Sequence, residues 1–164
     1  MSDFDAAAFP LVRHGHQYQD FAVGQIWRHH WGRTLTESDN LMFCSSMCYW
    51  NPMYINREYA RAHGHRDMVV NPLLVLCTVV GMSVEDLSEA GGPFLGVNDC
   101  NFHRDVYPGD TLTAVSEVEE MRTSASRPGT GIVTWHTLAN NQVGEVVLDY
   151  RRTNLVAMRR ESDQ

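Results

Sequence analysis

The spacing of apolar residues predicts a mainly helical first half and a β second half. Residues 73–87 are apolar nearly all round, so the helix that they predict must be buried on most sides. Asn71 and Pro72 precede it and are favourable N-cap and N1 residues. After residues 91–93 the apolar period changes to two, which is typical of strands. We expect four strands, over residues 94–104, 111–121, 131–139 and 143–156.

Shorter elements are predicted before this helix. Residues 25–34 alternate between apolar and polar positions and predict a first strand. Thr36, followed by acidic residues, is typical of a helix N-terminus. That helix should end before Asn51, because the residue ahead of a proline disfavours the helical region. Residues 57–63 predict a short helix that ends at Gly64.

One buried helix followed by a run of antiparallel strands predicts an α+β fold, in which a sheet wraps around the helix. A chain of 164 residues suits one such domain. Residues 1–20 have weak periodicity and are expected to form an N-terminal arm, which leaves residues 21–160 for the domain.

Composition excludes several classes of protein. The formal charge of -7 argues against nucleic acid as a partner. All 13 basic residues are arginine, so no lysine is available for Schiff-base chemistry. No apolar run reaches the ~18 residues of a membrane span, and no membrane partner is expected. The first residues lack the pattern of a secretory signal, so we expect a cytoplasmic protein.

The thiols and imidazoles do not predict a metal site. No spacing of His, Cys and Asp resembles a closed zinc site, and no metal is expected. The four cysteines are interpreted as small buried apolar residues of a reducing compartment, without disulfides. They are Cys44, Cys48, Cys77 and Cys100.

Six segments in a fixed order carry a family resemblance. They are Thr34 to Asn40, Asn51-Pro52 with Tyr59-Ala60, Val70 to Leu74, Phe102 with Val106 to Asp110, Ser124 to Pro128, and Gly131 to Val133. Together they resemble the MaoC-like hydratases, including mesaconyl-CoA (methylfumaryl-CoA) hydratases, from about residue 24 to residue 159. The resemblance implies a hot-dog fold and an acyl thioester ligand. CoA or phosphopantetheine would be part of the substrate, and no separate cofactor is expected.

The hydratase signature of this family has the form Asp-x-Asn-Pro-x-His, in which the Asp and His hold and activate one water. Residues 49–54, here called the signature segment, keep Asn51 and its proline but carry Tyr49 and Tyr54 at the Asp and His positions. The resemblance therefore implies Tyr49, Asn51 and Tyr54 as catalytic candidates. A phenol with a pKa of about 10 is a poor base at pH 7, but it can donate a hydrogen bond or act as an acid.

The resemblance also implies that the start of the central helix holds the thioester carbonyl through a backbone N–H. The matching residue here is Pro72, which has no N–H. We expect Asn71 to begin the helix and the amides of Leu73 and Leu74 to hold the carbonyl instead. The alternative is that Asn71 and Pro72 only start the helix.

Charged side chains complete the list of candidates. Arg127 lies in the segment that resembles the Ser-Arg-Pro loop of the family, and it is expected to bind ligand phosphates. The alternative is a solvated loop charge. His63 and His65 flank Gly64 and could supply the missing acid or base, although a loop histidine is usually a surface group.

The resemblance implies a hydro-lyase that adds or removes water at the α,β double bond of an acyl-CoA or acyl-carrier-protein thioester. Two alternatives stay open. One is a thioesterase, isomerase or cyclase that uses tyrosine donors, and the other is a non-catalytic thioester-binding partner subunit. The long fourth strand and the exposed side of the sheet leave an edge and a face to cover, which predicts a homodimer or a higher homo-oligomer. The resemblance implies a ligand site at or near the subunit interface.

Overall fold

The computed structural model describes residues 14–159. A single turn of 3-10 helix, Tyr18–Asp20, comes first. The helices are α1 (Glu37–Ser46), α2 (Pro52–Ile55), α3 (Arg57–Ala62) and α4 (Pro72–Leu87). The strands are β1 (Ile26–Arg28), β2 (Arg33–Thr34), β3 (Phe94–Phe102), β4 (Thr111–Thr123), β5 (Thr130–Asn140) and β6 (Val146–Ala157).

The strands form one antiparallel sheet in the order β1-β4-β5-β6-β3, with β2 also paired to β4. Side chains alternate strictly between buried and half-buried along β5, as a sheet with one covered face requires. Helix α4 covers that face, and its Val75, Val79 and Met82 share a core with Leu112 and Tyr150 of the sheet. The predicted α+β arrangement is confirmed.

Local capping explains where the two longest helices begin. The Thr36 hydroxyl accepts a hydrogen bond from the Asp39 N–H, and the Asp39 carboxylate accepts the Thr36 N–H in return. Asn71 caps α4 with Pro72 at the first helical position. Both helix starts were predicted from these residue types.

The predicted first strand is divided in two. Strands β1 and β2 pair with different parts of β4, and the chain between them leaves the ladder. His29 sits at the break, where its Nδ1 lies 2.6 Å from Asp86 Oδ2 and its Nε2 lies 2.9 Å from Ser116 Oγ. These partners draw the histidine inward, so that its ring is buried while His30 is exposed.

The prediction that the central helix is buried on most sides is wrong for the single chain. One face of α4 packs on the sheet, but Leu73 is 43% exposed and Val84 38% exposed on the other face. Cys77 lies on the same outer face, Cys48 is also exposed and Cys100 is half-buried, so three of the four cysteines are not buried as expected. In the single chain, the sheet covers only one face of this helix.

Two further differences concern the N-terminal part. Helix α2 was not predicted, and it forms because Asn51 caps it with Pro52 at its first position. The described part of the predicted arm packs on the domain. The Tyr18 ring lies against Gly131, and His16 Nδ1 lies 2.8 Å from the Asp86 carbonyl oxygen. Residues 1–13 of that arm lie outside the described residues.

Candidate active site

A cavity of about 880 Å³ lies where the signature segment meets the start of α4. Tyr54 and Pro72 form part of its wall, and the loop after β3 and the turn between β5 and β6 close its other sides. Apolar groups such as Val75 and polar groups such as His65 both face it. More of the lining is polar than apolar, and convergent polar and charged groups in a concave space are typical of a small-molecule site.

The two tyrosines of the signature segment are neighbours. Their ring centroids are 5.6 Å apart, with an angle of 47° between the planes. Tyr54 lines the cavity, whereas Tyr49 is 40% exposed and lies outside the cavity wall that the described residues form. Burial raises the pKa of Tyr54, and the neighbouring Tyr49 and Asp105 raise it further. Tyr54 is therefore a neutral hydrogen-bond donor at pH 7.

Asn51 has a structural role at this position. Its side-chain Oδ1 accepts the Met53 N–H at 3.0 Å and so begins α2. The residue is exposed and is absent from the described wall of the cavity. The structure thus brings Tyr54 and the start of α4 together, as predicted, but it does not place Tyr49 and Asn51 in the same pocket.

The amides at the start of α4 are already bonded. The Leu73 N–H donates to Asn71 Oδ1 at 2.9 Å, and the Leu74 N–H donates to the Asn71 carbonyl oxygen at 2.9 Å. The prediction that these two amides hold a thioester carbonyl is therefore wrong for this structure. Asn71, which caps the helix, accepts the hydrogen bonds of the two N–H groups that were predicted to bind the ligand. Asn71 itself is fully buried and does not line the cavity that the described residues enclose.

A histidine and a carboxylate stand on the cavity wall. His65 Nδ1 lies 3.1 Å from Asp105 Oδ2 and 3.3 Å from the Tyr107 hydroxyl. Burial and the nearby Asp105 charge both raise the pKa of Tyr107, so this phenol also stays neutral. The sequence analysis considered His65 as a possible acid or base, but it did not identify Asp105 as its partner. The pair is separated by forty positions in the chain, and no local spacing could reveal it.

The arginines of the cavity differ from the one that was predicted. Arg66 donates to both oxygens of Asp110, at 2.8 and 2.9 Å, and its guanidinium lies 4.3 Å from the Tyr107 ring centroid. Arg104 is held more loosely, with 3.7 Å between its guanidinium and Glu145. Both arginines line the cavity.

Arg127 lies at the other end of the sheet. It belongs to the turn between β4 and β5, whereas the cavity meets these strands at Asp110 and Asn141. Strand β4 has 13 residues, which is about 40 Å at ~3.3 Å per residue. The prediction that Arg127 binds the ligand is therefore wrong for a ligand held in the cavity of the same chain.

Asp110 anchors the floor of the cavity and is 8% exposed at its side chain. Burial acts to raise its pKa, but hydrogen bonds from Gln142, the Tyr107 N–H and Arg66 outweigh it, and the pKa is lowered from 3.8. These bonds are 2.8 to 2.9 Å long. The carboxylate therefore stays charged and fixes Arg66 against Tyr107.

Within residues 14–159, no group of three His, Cys, Asp or Glu side chains is arranged to hold a metal ion. In the same residues, no helix has both the length and the apolar character that a membrane crossing needs.

Solved structures identify the class of protein. A double hot-dog protein from Mycobacterium tuberculosis superimposes with a TM-score of 0.79 at 22% identity, over 90% of this chain and 46% of that one. A MaoC domain protein dehydratase from Chloroflexus aurantiacus gives a TM-score of 0.86 at 32% identity, over 93% and 43% of the two chains. One helix laid on an antiparallel sheet in this order is a hot-dog domain of the MaoC-like type, which confirms the fold that the sequence predicted.

The sequence identifies the family. The profile of the mesaconyl-CoA hydratase family matches residues 9–164. Mesaconyl-CoA hydratase from Haloarcula marismortui is 38% identical over 146 residues, which are 88% of this chain and 41% of that protein. This chain belongs to the mesaconyl-CoA hydratase family. It spans less than half the length of the curated relatives that it matches.

Proposed function

We propose that this chain is a hydro-lyase that adds or removes water at the α,β double bond of an acyl-CoA or acyl-carrier-protein thioester. The observation that carries the proposal is the cavity of about 880 Å³ between Tyr54 and the start of α4. It occurs in a member of a hydratase family, at the point where the signature segment meets the central helix. The names of the relatives make mesaconyl-CoA the first substrate to test.

Tyr54 supplies the acid in this proposal. When hydroxide adds to the β-carbon, negative charge develops on the α-carbon and the thioester oxygen. An enolate is a much stronger base than a phenolate, so the neutral Tyr54 hydroxyl can give its proton to the α-carbon or hold the charged oxygen. Its raised pKa keeps that proton in place at neutral pH. No cofactor takes part, because CoA or phosphopantetheine enters with the substrate.

The phosphates of such a ligand need cationic partners at the cavity. Arg104 is our candidate, because its pairing with Glu145 is long at 3.7 Å and its side chain is about half exposed. Guanidinium groups bind phosphates through two parallel hydrogen bonds. Arg66 is less available, since Asp110 already takes two of its hydrogen bonds.

A second hot-dog unit completes the assembly in this proposal, and a second copy of the chain is the natural candidate. Strand β3 has nine residues and pairs on one side only, with β6, among the described strands. Phe94 and Leu95 on this strand are 54% and 51% exposed. Long edges with apolar residues are usually covered in native proteins. The double hot-dog relative supports the same pairing of units.

One alternative has an observation in its favour. The Leu73 and Leu74 amides are already bonded, and tyrosines stand at both acid–base positions of the signature. These features favour a thioester-binding half whose chemistry belongs to another subunit. The cytoplasmic location expected from the sequence stays a prediction under either reading.

A panel of enoyl thioesters distinguishes the two. The whole chain is incubated with mesaconyl-CoA, crotonyl-CoA and longer 2-enoyl-CoA esters, and mass spectrometry follows the gain of one water. The hydratase proposal predicts hydration of at least one ester. Tight binding of the esters by calorimetry without any hydration would instead favour the binding half.

A further inference from the structure

The cavity contains a histidine–carboxylate pair in addition to the tyrosine of the signature segment. His65 presents Nδ1 to Asp105 Oδ2 at 3.1 Å, and its side chain is 26% exposed on the cavity wall. No hydrogen-bond partner from residues 14–159 contacts its Nε2. A carboxylate bonded to one ring nitrogen fixes the ring and leaves the other nitrogen to accept a proton.

The signature segment lacks such a base. Tyr54 has a raised pKa and Tyr49 lies outside the cavity wall, so neither phenol removes a proton from water at pH 7. Asp105 is close enough to Tyr54 for its charge to raise the pKa of that phenol. His65, Asp105 and Tyr54 all line this one cavity.

We propose that His65, positioned by Asp105, is the general base that activates water in this cavity. The inference rests on the proposed hydratase function and assigns the base to a residue outside the signature segment. His65 faces the cavity and is the catalytic residue, whereas Asp105 acts through the imidazole and is a positioning residue.

The addition of water balances as follows. The water oxygen forms a bond to the β-carbon while His65 Nε2 takes one water proton. The π electron pair moves onto the α-carbon, which takes the proton of the Tyr54 hydroxyl. The resulting Tyr54 phenolate recovers a proton from the His65 imidazolium, directly or through a water, and both groups return to their starting states. Dehydration is the same sequence in reverse.

The test compares His65→Gln with His63→Gln. His63 is on the same loop, but its ring stacks on Tyr59 at 4.1 Å between centroids, and its Nδ1 lies 2.8 Å from the Tyr59 carbonyl oxygen. His65→Gln should lower kcat/KM on the best enoyl-CoA by about 10²- to 10⁴-fold, the usual contribution of a general base. His63→Gln should keep kcat/KM within about threefold of the wild-type value, far less than the loss expected on removal of a general base. Circular dichroism confirms that both variants are folded.

Two further readouts separate a base from a merely structural residue. Added imidazole should restore part of the activity of His65→Ala, because the cavity is large enough to admit it. The pH profile of kcat/KM should differ between the wild type and Asp105→Asn, because the substitution removes the carboxylate that lies 3.1 Å from His65 Nδ1.

The outcomes are distinct. If His65→Gln keeps its kcat/KM within about threefold of the wild type, instead of showing the loss expected for a missing base, the base assignment is overturned. The hydratase function would then stay intact. A wild type that hydrates no thioester would overturn the proposed function, and the base assignment would fall with it. A third outcome is that the His65 variants lose activity, imidazole does not restore it, and Asp105→Asn has an unchanged pH profile. The pair would then have a structural role, which would also overturn the assignment.

Discussion

The side-chain Nδ2 of Asn40 donates to the carbonyl oxygen of Tyr54 at 2.8 Å, and this bond ties α1 to the signature segment. The same amide group donates to the Val69 carbonyl oxygen at 3.0 Å, and its Oδ1 accepts the Asn71 N–H at 2.8 Å. Asn40 is fully buried. One side chain thus joins α1 to the signature segment and to the stretch that leads into α4, and the latter two line the cavity.

Asn40→Ala should therefore be strongly destabilising. It leaves three backbone groups without their partner, and each buried unsatisfied group costs about 1–3 kcal/mol. We expect the free energy of unfolding to fall by roughly 3–5 kcal/mol, measured by urea denaturation. Asn101→Ala is the control, because Asn101 is exposed and should cost less than about 0.5 kcal/mol. Equal losses at the two asparagines would show that the junction does not depend on Asn40.

Fully and partly buried positions of α4 should respond differently to truncation. Met82 is 1% exposed and lies in the core, so Met82→Ala should cost about 2–5 kcal/mol. Leu76 packs against the same core but is only partly buried, and Leu76→Ala should cost clearly less. Chemical denaturation of the two variants measures the difference. A loss at Leu76 as large as that at Met82 would contradict single-chain burial and would mean that a second unit covers Leu76 in solution.

The assembly proposal predicts a dimer that charged substitutions can separate. Wild-type protein should sediment as a dimer at micromolar concentration. Leu95→Lys on β3 and Val84→Arg on the outer face of α4 should each shift it towards monomer, because the new charge would have to be buried in the interface. Val23→Lys is the control, since Val23 is 65% exposed next to β1, at the opposite edge of the sheet. A stable wild-type monomer would rule out the homodimer.

Asp110 should make the stability of the folded protein depend on pH in the acid range. Its pKa in the folded protein is below the ordinary 3.8, so the unfolded chain binds this proton more readily. Its contribution to stability is therefore present above pH 3.8 and is lost as the pH falls towards the lower folded-state pKa. Unfolding measured between about pH 5 and 2 should show a steeper loss for the wild type than for Asp110→Asn. Parallel curves would mean that the bonds from Arg66 and Gln142 do not favour the charged form.

Local signals in the sequence were sufficient for the starts of α1 and α4 and for strands β3 to β6. Thr36, Asn71 and Pro72 act on groups within three residues of themselves, and the alternation of β4 to β6 depends only on one covered face. The composition of the site depends on contacts between segments that are far apart in the sequence. No spacing reveals that Asp105 meets His65 or that the β4–β5 turn carries Arg127 away from the cavity. The amides of α4 could have been assigned to their cap, since the Asn71 cap was itself predicted.

The most direct test of the central claim is the turnover of Tyr54→Phe on the enoyl-CoA that the wild type hydrates best. The ring remains, so its packing against Tyr49 is preserved while the hydroxyl in the cavity is lost. A lost donor to developing charge costs about 3 kcal/mol, so kcat should fall by an order of magnitude or more while binding changes less. Tyr49→Phe should have a much smaller effect, because that hydroxyl lies outside the cavity wall. Wild-type turnover by Tyr54→Phe would contradict the account.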